Sequence, residues 1–158
     1  MAALDVVGAL ASVKTMLSEL TAWQTICGVS SAAEAAKRIH EGGIEVEEGQ
    51  TTAPSIVLDI TSFPTTWKAN RFHGDLAIEI RVEFEVPEEN RATFSDQYVW
   101  VWGKYSDILA GIAGAVGGSG QHMSTTLETP LMPGRVDPDD NSGRCEWNFV
   151  LSLTGVVI

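Results

Sequence analysis

Basic residues are scarce in this chain. Ten lysines and arginines stand against 21 acidic residues over 158 positions, a net charge of −11 at pH 7. A surface that wraps nucleic acid needs clustered Lys and Arg to displace counterions, and the ten here are scattered. Cysteine is nearly absent: Cys27 and Cys145 stand far apart and form no CxxC pair. With His40, His73 and His122 they complete no zinc spacing, so no metal and no cofactor is expected. Both thiols read as small buried hydrophobes in a reducing compartment. There is no apolar run of about 18 residues, so no membrane span is expected. Asp5 precedes the first apolar stretch and Lys14 arrives late, the reverse of a secretory signal. The expectation is a soluble protein made in the cytoplasm.

What is present is a core. The chain is 44% hydrophobic, enough for one globular domain over residues 1–158. The clearest signal runs from Leu76 to Val86. Leu76, Ile78, Ile80, Val82, Phe84 and Val86 fall on one face of a strand, and Glu79, Arg81, Glu83 and Glu85 on the other. Cys145, Trp147, Phe149, Leu151 and Leu153 alternate in the same way near the C-terminus. Ser55–Ile60 predicts another strand, Ile44 and Val46 a short one, and His122–Leu131 one kept short or at an edge by Pro130 and Pro133. Ser62–Gly74 reads as a long hairpin connection.

Helical spacing appears in two regions. Val6, Leu10, Val13, Leu17 and Leu20 form a stripe that predicts a helix from about Leu4 to Trp23. Ser31-Ala32-Ala33-Glu34 is a capping box that opens a second helix ending near Glu41, with Gly42-Gly43 as its stop. After Pro87, with Glu88 and Glu89 at its positive end, a long helix is predicted from about Arg91 to Ala115. Phe94, Tyr98, Val101, Trp102, Tyr105, Ile108, Leu109 and Ile112 make its apolar stripe. Trp100 lies off that stripe, and Val99, Gly103 and Ala110 make a second non-polar face. Such a helix packs on two sides, the second being either the first helix or another subunit. The fold class is therefore α+β: a mostly antiparallel sheet packed against a long helix, with N-terminal helices.

Candidate chemistry is thin. Gly117-Gly118-Ser119-Gly120 follows a helix, whereas a phosphate loop needs Lys-Ser or Lys-Thr opening one and a nucleophile elbow needs a preceding strand. Asp137-x-Asp139-x-Asn141 has the alternate oxygens of a calcium loop, but its glycine is displaced and Asn148 stands where a bidentate glutamate belongs. A polar turn is the better account. The three histidines have no acid or nucleophile at a telling spacing.

The order of elements resembles the tail terminator proteins of long-tailed bacteriophages, and more loosely the tail-completion and neck proteins. The residues that carry the likeness are the N-terminal helix, the strand Ala53-Pro54-Ser55-Ile56-Val57-Leu58 and the alternating strand Leu76–Val86. The aromatic helix Phe94-Ser95-Asp96-Gln97-Tyr98-Val99-Trp100-Val101-Trp102 and the final strand through Trp147-Asn148-Phe149 complete it. That resemblance implies a non-enzymatic virion protein at the tail end or neck. It implies a homohexameric ring whose partners are itself, the tail tube protein and a head-completion or connector protein. DNA would pass through without specific binding.

Subunit-interface candidates are Trp100, Val99, Gly103, Arg71 and Phe72, with Trp100 alternatively a core residue against the first helix. Glu45, Glu47, Glu48, Asp137, Asp139 and Asp140 are the acidic candidates for a bore, or else ordinary solubilising charge. Rival readings are another head–tail connector or neck protein, and a small ligand-binding or enzymatic α+β protein with a site between sheet and helix.

Overall fold

The computed structural model describes residues 3–41, 53–117, 122–127 and 143–157. Chain order runs β1 (Ala3–Leu4), α1 (Val6–Glu19), α2 (Thr21–Cys27), α3 (Ala32–Ala36), β2 (Ile39–Glu41), β3 (Ser55–Ser62) and β4 (Thr65–Lys68). It continues through β5 (Arg71–Glu85), a 3-10 turn (Glu88–Asn90), α4 (Phe94–Gly117), β6 (His122–Leu127) and β7 (Arg144–Val157). The fold is α+β. All seven described strands join one sheet ordered β1-β7-β5-β3-β2, with β4 also on β5 and β6 also on β7. The pairs β5–β7, β3–β5, β4–β5 and β6–β7 are antiparallel. The edge pairs β1–β7 and β2–β3 are parallel, which alternation alone does not reveal.

The two long strands β5 and β7 form the spine. They pair from His73↔Val156 to Glu85↔Arg144, and the alternation of buried side chains holds from Leu76↔Leu153 to Phe84↔Cys145. Leu76, Ile78, Ile80, Val82 and Phe84 of β5 are buried with Cys145, Trp147, Phe149, Leu151 and Leu153 of β7 and Ile56 and Leu58 of β3. From α4, Val101, Tyr105, Ile108 and Ile112 join this core. Tyr105 stacks on Phe149 at 5.5 Å between ring centroids and meets Trp147 edge-on at 5.5 Å. Phe84 meets Trp147 edge-on at 4.4 Å. Offset and edge-to-face aromatic pairs add to the burial term.

The other face of the spine is polar. Asn148 donates to Glu79 at 2.6 Å, Arg81 stands 3.8 Å from Glu79, and Arg144 pairs with Glu83. Asp59 sits opposite Glu79 in the register, so like charges face each other there.

At the far end of the spine, Gly143 has φ +69°, and a Cβ there would lie 2.5 Å from Arg91 Nε. That guanidinium donates to the Val86 carbonyl, and the Val86 amide donates to the Gly143 carbonyl at 2.8 Å. Glycine is required on both counts.

Several sequence expectations need correction. The first helix is two helices. Leu20 is extended (ψ 120°), and the bend buries Trp23, whose indole N–H reaches the Ala35 carbonyl at 3.4 Å. The Gln24 side chain donates to the Ser18 carbonyl at 2.9 Å and so serves one of the acceptors the break leaves open. The second helix opens as expected, with Ser31 accepting from the Glu34 amide at 3.3 Å. The Glu34 carboxylate, however, takes Lys37. That helix stops at Ala36, because Ile39 is buried in β2 beside β3. The long helix begins at Phe94, later than Arg91. Thr93 is its cap, accepting from the Asp96 amide at 3.1 Å and donating to the Asp96 carboxylate at 2.8 Å. Glu88 and Glu89 belong to the separate 3-10 turn.

The supposed long connection is a tight hairpin. Thr65–Lys68 pairs with Arg71–Gly74 across a two-residue turn, Ala69 and Asn70, both at positive φ (51° and 59°). Both central residues in the left-handed region is the primed geometry that matches strand twist. The expected strand at Ile44 and Val46, the Gly42-Gly43 stop, Gly118–Gly120 and the turn at residues 137–142 lie outside the described residues.

Candidate functional site

β5 is longer than the sheet that shelters it. Residues 73–85 have β7 on one side, whereas Arg71 and Phe72 pair only with β4. Every residue of β4 is exposed. The hairpin tip is thus a two-stranded overhang. Trp67 and Phe72 sit opposite each other on it, with ring centroids 4.7 Å apart, and are 59% and 51% exposed. Cross-strand aromatic pairs stabilise a hairpin, but two large rings left this wet are unusual unless something covers them. Lys68 and Arg71 flank them in register, and neither is in an ion pair among the described residues.

A second exposed apolar group opens α4. Phe94 is 55%, Tyr98 46% and Val99 67% exposed. Phe94 and Tyr98 continue the spacing of the buried stripe, contrary to the expectation that they are core. The rings run on as a ladder: Phe94–Tyr98 at 6.4 Å, Tyr98–Trp102 at 6.1 Å and Trp102–Tyr105 at 5.2 Å, ending in the core. The buried Trp102 indole N–H has no hydrogen-bond partner among the described residues.

The interface candidates separate. Arg71 and Phe72 are exposed on the hairpin tip, and Val99 and Gly103 are exposed on α4. Trp100 is not off the core: it is half-buried, with its ring 5.6 Å from Phe84 and Lys104 6.0 Å above it. The second non-polar face of α4, Val99, Gly103 and Ala110, is exposed on the single chain; α4 meets the α1–α2 bend instead at Gly111, where a Cβ would lie 2.6 Å from the Leu20 side chain. Beside that contact is an open groove of about 540 Å³ that includes Thr21, Thr25, Lys104, Asp107 and Gly111. The six acidic bore candidates, Glu45, Glu47, Glu48, Asp137, Asp139 and Asp140, lie outside the described residues.

Among the described residues no group of three His, Cys, Asp or Glu side chains is placed to hold a metal ion. His40, His73 and His122 fall on three different strands, β2, β5 and β6. Burial pushes the thiols up, Cys145 to about 12 and Cys27 to about 11, with Arg91 and Arg38 respectively pulling the other way. Such thiols are poor nucleophiles near neutrality. No described helix is long and apolar enough to cross a membrane. Comparison with protein-family models and with curated proteins finds no match.

The sequence missed the hairpin tip as a structural feature, although it picked out Arg71 and Phe72. The signal was Trp67 and Phe72 bracketing Ala69-Asn70. Asn is common in primed turns, but Ala in place of Gly hid the pattern.

Proposed function

We propose that this chain is a non-enzymatic structural protein of a long-tailed phage. In this reading it is a tail terminator, forming a six-membered ring on the end of the tail tube at the head–tail junction. The observation that carries the reading is the overhanging hairpin tip, whose Trp67–Phe72 pair is exposed on the single chain. Aromatic anchors of this kind are enriched in protein interfaces. The order of elements adds the resemblance to terminators. In such a ring the partners are other copies, the tail tube protein and a head-completion or connector protein. Some of Glu45, Glu47, Glu48, Asp137, Asp139 and Asp140 would face the bore, where like charge keeps passing DNA from adhering; screening limits its reach to about 8 Å.

The test is tube growth. Tail tube protein is polymerised with and without the purified chain, and tube lengths and ends are imaged by electron microscopy. The expected outcome is shorter tubes of uniform length with a ring on one end. Tubes of unchanged length with bare ends would refute the terminator role.

A further inference from the structure

Val7 apart, the large exposed hydrophobics among the described residues fall in two places: Trp67 and Phe72 at the hairpin tip, and Phe94, Tyr98 and Val99 at the start of α4. The two places lie beyond opposite ends of β5. From Phe72 to Glu85 the strand rises about 3.3 Å per residue, which separates them by roughly 45 Å. They cannot meet within one chain.

Their charges are opposite. The tip carries Lys68 and Arg71. The α4 end carries Glu88 and Glu89 on the preceding turn and Asp96 in its first turn, all exposed. Arg91, the basic residue beside them, is engaged by the Val86 carbonyl and by Glu85 at 3.6 Å. Asp75 stands further along β5, opposite Thr154 of β7. A basic aromatic patch at one end and an acidic aromatic patch at the other make a self-complementary pair on different surfaces.

We infer that the hairpin tip of one copy docks on the start of α4 of the next copy, Trp67 and Phe72 against Phe94 and Tyr98, with Lys68 and Arg71 facing Glu88 and Glu89. This contact is heterologous, head to tail. Made once with each neighbour, it closes into a ring or runs into an open filament; made twice across a two-fold axis, the same two patches would give a dimer instead. The inference rests on the ring reading and names the surfaces that would build the ring.

Charge exchange tests it. Lys68→Glu/Arg71→Glu makes both patches acidic, and Glu88→Lys/Glu89→Lys makes both basic. Asp96 is left alone because it belongs to the Thr93 cap. Each variant is followed by analytical ultracentrifugation, with far-UV circular dichroism and a thermal melt to show that it folds. Each alone is expected to need on the order of 30-fold more protein for half-assembly than the wild type, the size of a hot-spot loss. An equimolar mixture of the two is expected to assemble again, because each tip then meets a patch of opposite sign. The four-fold variant in one chain is expected to assemble by itself.

Folded single-exchange variants that assemble like the wild type, or a mixture that stays unassembled, would overturn the inference and leave the ring reading standing. Open chains or two-fold dimers in the wild type, lost on exchange and restored on mixing, would keep the contact and refute the closed ring. A wild type that stays monomeric at every concentration would remove both.

Discussion

The two halves of β5 obey the same alternation and have opposite fates. From Ala77 to Glu83 the strand is shared between β3 and β7, and the even-numbered side chains from Leu76 to Phe84 are buried with those of the helices. At Arg71 and Phe72 it leaves that shelter, and Phe72, in phase with Leu76 and Phe84, is half exposed. Position in the alternation selects a face of the strand. It does not say whether anything lies over that face. Burial is a property of neighbours, and the hairpin tip lacks them within the chain.

The sharpest contrast is between two phenylalanines on this strand. Phe84→Ala opens a cavity against Trp147 and Trp100 and is expected to cost about 3–5 kcal/mol of folding stability in urea unfolding. A loss below about 1 kcal/mol would mean that this end of the spine is not the packed core described here.

Alkaline pH probes the sheltered half next. Cys145 is raised to about 12 by burial, against 9.0 for an ordinary thiol. The unfolded chain releases its proton first as pH rises, so the stability present below pH 9 is lost through the interval up to about 12. The slope is about 1.4 kcal/mol per pH unit for that one proton. Cys145→Ala should flatten the decline measured between pH 9 and 11. An unchanged slope would place the thiol in water.

Much of the body was legible because single rules governed it. Period-two alternation marked β5 and β7, and Ser31 announced a helix start that the structure keeps. Elsewhere two rules competed. The stripe through Leu20 ran unbroken, yet burying Trp23 required a bend there, with Gln24 covering an open carbonyl. Ile39 sat in helical phase after Ser31 but was drawn into β2 by its neighbour β3. Phe94 and Tyr98 matched the stripe of α4 while the helix end outran its cover. The parallel edge strands pair residues distant in sequence, which no local pattern records. The interface candidates at Arg71, Phe72, Val99 and Gly103 were readable as exposed surface. For Trp100 the helical phase left interface and core both open, and it could not foresee that Phe84 reaches the ring.

The smallest expected effect on stability lies at the hairpin tip. Trp67→Ser should shift the unfolding free energy by less than about 0.5 kcal/mol, the range of ordinary surface changes. It should nevertheless weaken self-assembly, seen as a later-eluting species in size-exclusion chromatography. A large stability loss with assembly intact would make the aromatic pair a structural clasp and end the contrast between the two halves.

Native mass spectrometry of the purified wild-type chain, taken over a range of concentrations, decides whether the ring forms. A dominant species at six times the single-chain mass is expected. A single-chain mass at every concentration, with the protein folded, would contradict it.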